Sequence, residues 1–162
     1  TAEVAVPADG ARGVIVSQGG AFGGWCLYAH EGRPAYCYNL FGLQRFKVYG
    51  NDPLPDGDHQ IRLEFSYDGG GVAKGGSASL FVDGQKVGEG RVDGTVPMAF
   101  SADETTDVGS DSGTGVTDDL RVEESRFNGR VRWVELSIGD EADGANHLIS
   151  PEDRYRVAMA RQ

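Results

Sequence analysis

Tight two-residue turns set between alternating apolar runs constrain this chain more than any other feature. The stretch "SASLFVDGQKVGEG" carries Asp83-Gly84 between two such runs, and Asp-Gly is a turn pair whose backbone twist matches antiparallel strands. The segment "CLYAHEGRPAYC" repeats the device with Glu31-Gly32 at its tip. Glycine supplies 25 of 162 residues, about twice the usual ~7%. These glycines fall between the alternations and form no low-complexity block, so they punctuate many short strands. "HQIRLEFSY" (59–67) alternates cleanly, with Ile61, Leu63, Phe65 and Tyr67 on one face.

Ten or so such strands predict an all-β fold, an antiparallel β-sandwich over residues 1–139. The last clear strand is expected over "RFNGRVRWVELSIG" (126–139), with Val134, Leu136 and Ile138 on one face and Val131 and Trp133 on the other. A weaker strand is expected near "TVPMAF" (95–100). Residues 140–162 read as a polar linker and a short C-terminal helix, with Ser150 as N-cap, Pro151 in the first turn, and Glu152 and Asp153 beside it. The opening "TAEVAVP" lacks an initiator Met, so the chain reads as cut from a longer polypeptide.

A net charge of −10 argues against a nucleic-acid backbone or an anionic membrane as partner, since both require clustered cations. No apolar run approaches the roughly 20 residues of a membrane span. In the register set by the Glu31-Gly32 turn, Cys26 lies opposite Cys37, with Cα atoms roughly 4.5–5.5 Å apart. That separation admits a disulfide in an oxidising compartment and equally admits two buried thiols, so the compartment stays open.

The acidic stretch "SADETTDVGSDSG" (101–113) is the strongest candidate for chemistry. Its spacing is not that of an EF-hand. Counted from Asp107, the third position is Gly109 and the sixth is Ser112. Two readings remain for it: an irregular calcium site using Asp103, Asp107 and Asp111, or a solvated inter-strand loop of turn-forming residues. "SYDGGGVAKGGSAS" lacks the lysine of a phosphate-binding loop. His30, His59 and His147 are scattered, and Glu64 is the lone acid of its strand, so no catalytic residues are assigned. Aromatic residues Trp25, Tyr28 and Tyr36 of the first hairpin are candidates for stacking on a sugar ring. Trp25, Leu27, Tyr36 and Tyr38 share a face, and such a patch also reads as sandwich core.

The segments "GVIVSQGGAFGGWCLYAHEGRPAYCYNLFG", "LPDGDHQIRLEFSYDGGGVAKGGSASLFVDGQKVGEGRV" and "FSADETTDVGSDSGTGVTDD", with "FNGRVRWVEL" and "HLISPEDRYRVAMARQ", resemble the C-terminal region of large bacterial arylsulfatases. The resemblance implies a concanavalin-like or laminin-G-like jelly roll. It also implies a non-catalytic accessory domain that packs on a separate sulfatase catalytic domain in the parent chain and helps shape its active-site entrance. The formylglycine motif of that family, Cys/Ser-x-Pro-x-Arg, is not met at Cys26 or Cys37, so neither is carried over as catalytic. An exposed docking face predicts self-association, a homo-oligomer, when the chain is isolated. No cofactor is required under this reading, with calcium at 101–113 the one candidate. The other functional expectation is an autonomous carbohydrate-binding module, calcium-dependent at the acidic loop.

Overall fold

In the computed structural model, residues 1–97, 100 and 104–138 are described. Their strands form two five-stranded antiparallel sheets packed face to face, a β-sandwich. The first sheet runs in the order β10 (Arg130–Val134), β1 (Ala2–Val6), β6 (Gly57–Tyr67), β7 (Gly76–Val82), β8 (Gln85–Val92). The second runs β5 (Gln44–Tyr49), β4 (Arg33–Leu40), β3 (Gly23–His30), β2 (Gly13–Gly20), β9 (Thr106–Val108).

Both predicted hairpins form in the expected register. His30 pairs with Arg33 across Glu31-Gly32, and Val82 pairs with Gln85 across Asp83-Gly84. Glu31 and Asp83 both take positive φ (49° each), the backbone that a tight turn between twisted strands demands. The alternation of each strand then sets the core. Val4, Ile61, Ala78 and Leu80 from one sheet meet Leu27, Tyr36, Phe46 and Val48 from the other, all buried. Each large aliphatic side chain removed from water this way contributes about 1.5–3 kcal/mol.

Along one side the sheets close on each other through glycine. A Cβ at Gly88 would lie 2.5 Å from the Tyr49 carbonyl oxygen, and one at Gly90 would lie 2.7 Å from Val48 Cγ2. The absent side chains let β8 approach β5, and Asn51 N–H donates to Val87 O at 2.9 Å just beyond. On the opposite side the edges are β9 and β10, joined by the chain as it crosses from one sheet to the other.

Two sequence expectations are corrected. The last strand ends at Val134, because its neighbour β1 begins at Ala2 and the pair Ala2–Val134 is the last available. Glu135 N–H still reaches Thr1 O at 2.8 Å, but Leu136 and Ile138 lie beyond any partner and are 57% and 86% exposed. Of the strand expected near 95–100, residues 95–97 form none, since Pro97 has no N–H and Val96 N–H donates to the Tyr38 hydroxyl (2.9 Å), while 98 and 99 lie outside the described residues. The helix expected within 140–162 lies outside the described residues.

Candidate functional site

The acidic segment and its continuation do not simply connect strands. After β9 the chain folds back over the outer face of the second sheet. Val116 is fully buried there, and Leu120 packs beside it, against Val14, Cys26, Tyr28, Ala35 and Cys37. The hairpin is therefore apolar on both faces, one against the core and one against this cover. Val14 N–H donates to Ser125 O at 2.7 Å, and Arg45 Nε–H donates to Val116 O at 3.0 Å, which pin the cover at two points.

Asp119 is its polar anchor. One carboxylate oxygen accepts from the Tyr28 hydroxyl and from the Tyr49 hydroxyl (2.7 Å), and the other accepts from Lys47 Nζ. Lys47 also pairs with Asp118 at 2.5 Å. Burial pushes the Asp119 carboxyl up, but hydrogen bonds from Lys47, Tyr28 and Tyr49 outweigh it and hold the group below its ordinary range. Burial would lower Lys47, yet bonds to Asp118 and Asp119 raise it overall. Tyr28 is raised chiefly by burial and next by its bond to Asp119. Each member is thus locked in the protonation state its partner needs. At neutral pH such a cluster holds charge in place and exchanges protons poorly.

Beneath it, Cys26 and Cys37 face each other as expected, both free and buried. Burial pushes the Cys26 thiol up, while the bond from Cys26 pulls Cys37 down, aided by Thr117, Lys47 and Arg45.

The acidic loop itself is ordered by its own carboxylates. Thr114 donates to Glu104 Oε1 through its hydroxyl (2.5 Å) and its N–H (3.2 Å). Asp107 Oδ2 accepts from Ser112 N–H (2.8 Å) and Ser112 Oγ–H (2.6 Å). Asp111 is buried, which corrects the solvated reading for that residue. Its Oδ2 accepts from Val116 N–H at 3.1 Å, and its backbone exchanges bonds with the Ser125 hydroxyl. Burial raises the Asp111 carboxyl, opposed by the Val116 N–H and reinforced by the charges of Asp107 and Glu104.

Asp103 lies outside the described residues. Among the described residues no three His, Cys, Asp or Glu side chains converge as a metal group. Calcium remains the cation that oxygen ligands of this loop would take. With Asp107 and Asp111 already turned to loop donors, the expected result of adding millimolar calcium after EDTA is no change in Tm. A rise of several degrees that Asp107→Ala abolishes would establish a metal site.

The three aromatic candidates are brought together in the hairpin but turned inward. Tyr36 is buried in the inter-sheet core, and Tyr28 is fully buried under the cover. Neither ring has a free face on which a sugar could stack. Trp25 is half-buried against the core, with its Nε1–H donating to Gln18 Oε1 at 3.0 Å.

One exposed apolar cluster was not singled out in the sequence. The β2–β3 and β4–β5 turns lie at the same end of the second sheet, since its strands alternate in direction. They display Phe22 (75% exposed), Phe41 and Leu43 (88% exposed). Buried Asn39 joins the two turns. Its Nδ2 donates to Gly20 O (2.8 Å) and Ala21 O (3.1 Å), and its Oδ1 accepts from Gly42 N–H (2.8 Å). Gly42 has φ 73°, and a Cβ there would stand 2.6 Å from Ala21 O, so glycine is needed at this contact.

The β6–β7 connection reaches the same end. A Cβ at Gly94 would touch both Leu40 Cδ2 (3.6 Å) and Ala73 O (3.7 Å), which places exposed Val72 near the turns. None of "GGAFGG" (19–24), "LFGL" (40–43) and "GGGVA" (69–73) carries a charge, in a chain of net charge −10. The signal for this tip was large apolar residues placed between turn glycines, where polar ones are usual. No family model, curated protein or solved structure matches the chain.

Proposed function

We propose that this chain is a non-catalytic accessory domain of an arylsulfatase-type sulfate-ester hydrolase. It would be a sandwich of jelly-roll, concanavalin-like kind that packs on the catalytic domain and shapes its active-site entrance. The sequence resemblance suggests the partner, and the rigid, uncharged apolar tip carries the docking half of the reading. Phe22, Phe41 and Leu43 are held out into water by turns that Asn39 fastens together. Isolated exposed apolar residues are ordinary, but a pre-organised cluster of them favours an interface.

Magnitudes favour a tethered partner. Burying three large apolar side chains yields on the order of 5–9 kcal/mol gross, at about 1.5–3 kcal/mol each. Free association costs about 4–15 kcal/mol in lost translational and rotational freedom. The tip alone would hold a free partner weakly, whereas a covalent linker raises the effective concentration to about millimolar and makes the same contact sufficient.

The test uses the purified chain and a separately expressed sulfatase catalytic domain. The chain alone is expected to leave an aryl sulfate unhydrolysed above buffer, and to bind the catalytic domain weakly in a titration, with a Kd below about 1 mM so that a linker would saturate the contact. The double substitution Phe22→Ser, Leu43→Ser should weaken that binding at least tenfold while leaving the melting curve nearly unchanged. Hydrolysis by the chain alone, or binding indifferent to the substitutions, would refute the proposal. Saturable glycan binding with no affinity for the catalytic domain would point to the carbohydrate-binding module instead.

A further inference from the structure

The second feature lies on the side of the sandwich where β9 and β10 are the edges. As the chain crosses between sheets it leaves a groove of about 410 Å³, walled by Val108, Gly109, Phe127 and Val131 and flanked by Arg126 and Arg130. Both arginines are exposed. Among the described residues Lys47, Arg62, Lys86, Arg91 and Arg132 each pair with Asp or Glu, whereas Arg12, Arg33 and Lys74 stand apart from any carboxylate and from one another in sequence. Arg126 and Arg130 pair with no carboxylate among the described residues, although acidic groups outnumber basic ones 25 to 15.

The backbone that carries them is tightly held. Phe127, between them, is buried, and its N–H donates to Gly109 O at 2.9 Å. The Asn128 side chain accepts Arg12 N–H (2.7 Å) and donates to Gly10 O (2.8 Å), while its N–H donates to Arg12 O (2.9 Å). Gly13 lies so close to the Arg126 and Phe127 backbone that a Cβ there would overlap it. The two guanidinium groups therefore spring from a fixed base at the rim of a preformed groove. On the facing wall Gly109, with φ 81°, leaves open space where a side chain would stand.

We infer that this groove is a binding site for an oxyanion group, a sulfate, phosphate or carboxylate, held between Arg126 and Arg130. A guanidinium presents a planar fork of N–H donors that matches two oxygens of such a group, and two forks on a fixed backbone leave only the two side chains to be ordered on binding. The inference is independent of the proposed docking role, since the groove and the apolar tip involve different residues.

The experiment is a titration of the isotopically labelled whole chain, followed by amide and arginine side-chain NMR. Sodium sulfate, sodium phosphate and sodium acetate are added in separate arms, each matched to sodium chloride at equal ionic strength. Saturable shifts confined to Gly109, Ser110 and residues 126–131 are expected, and the arm that saturates first identifies the preferred oxyanion. Arg126→Gln with Arg130→Gln should weaken binding at least tenfold with the rest of the spectrum unchanged. Shifts that never saturate, that map elsewhere, or that persist in the double variant would overturn the inference.

Discussion

Replacing Asp119 with alanine is expected to destabilise the fold by about 3 kcal/mol, the scale seen when one partner of a buried pair is removed, and to lower Tm by roughly 6–12 °C. The cause is what remains behind. Lys47 would keep only Asp118, whose side chain is 62% exposed, and the hydroxyls of Tyr28 and Tyr49 would lose their shared acceptor. Tyr28 is fully buried, so its hydroxyl cannot recover a bond from bulk water without lifting Val116 and Leu120 from the sheet. Lifting them uncovers Cys26 and Cys37, so thiol labelling should quicken in Asp119→Ala relative to wild type. Denaturant melts provide the first readout. A loss below about 1 kcal/mol with unchanged labelling would show that the cover is held by apolar contact alone.

The pH dependence has a determined sign. Asp119 titrates below its ordinary value of 3.8 in the folded chain, so its contribution is complete above that value and is lost as pH falls through the depressed one. The stability gap between wild type and Asp119→Ala should therefore narrow at acid pH. Asp111 works in the opposite direction. Its folded value is raised, so it contributes less stability as pH climbs from 3.8 through the raised value.

Asn39→Ala is expected to cost a similar amount, about 3 kcal/mol, by removing three hydrogen bonds at about 1 kcal/mol each. Gly20 O, Ala21 O and Gly42 N–H all bond to this one side chain, which is fully buried. Its second effect is on function under the proposed reading. With the two turns unlinked, Phe22, Phe41 and Leu43 must be ordered at each encounter, so affinity for a docking partner should fall alongside stability. Hydrogen exchange at the Gly42 amide separates the two effects, because it reports the turn directly. Asn39→Asp is the informative control: a carboxylate still accepts from Gly42 N–H but cannot donate to Gly20 O or Ala21 O. Protection at Gly42 should survive in the aspartate variant and vanish in the alanine variant. Equal protection in both would mean the turns hold themselves.

Local chemistry was the legible part of this protein. A two-residue turn sets the pairing of its flanking strands, so Glu31-Gly32 placed Cys26 opposite Cys37 and Asp83-Gly84 placed Val82 opposite Gln85. Alternation divided β6 and the hairpin into faces, and Leu27, Tyr36 and Tyr38 do enter the core. The second apolar face of the same hairpin was also written in the sequence, as uncharged Cys26, Tyr28, Ala35 and Cys37. Its meaning was not, because the residues that cover it lie about 80 positions away in a stretch rich in Asp, Ser and Gly. By composition that stretch reads as solvated, and only Val116 and Leu120 hinted otherwise.

The sequence by itself determined the strands, their turns and the all-β class, because backbone geometry and alternation act over a few residues. Tertiary structure decided which face of each strand met a partner and where a strand had to stop. It decided whether a carboxylate pointed to water, as turn chemistry suggested, or to Val116 N–H, as Asp111 does. It also joined the turn that carries Phe22 to the turn that carries Phe41, and placed Arg126 and Arg130 around one groove. Those pairings depend on which strands lie side by side and which sheet edges face each other. Cross-strand packing and backbone hydrogen bonds set that arrangement only once the whole chain is closed.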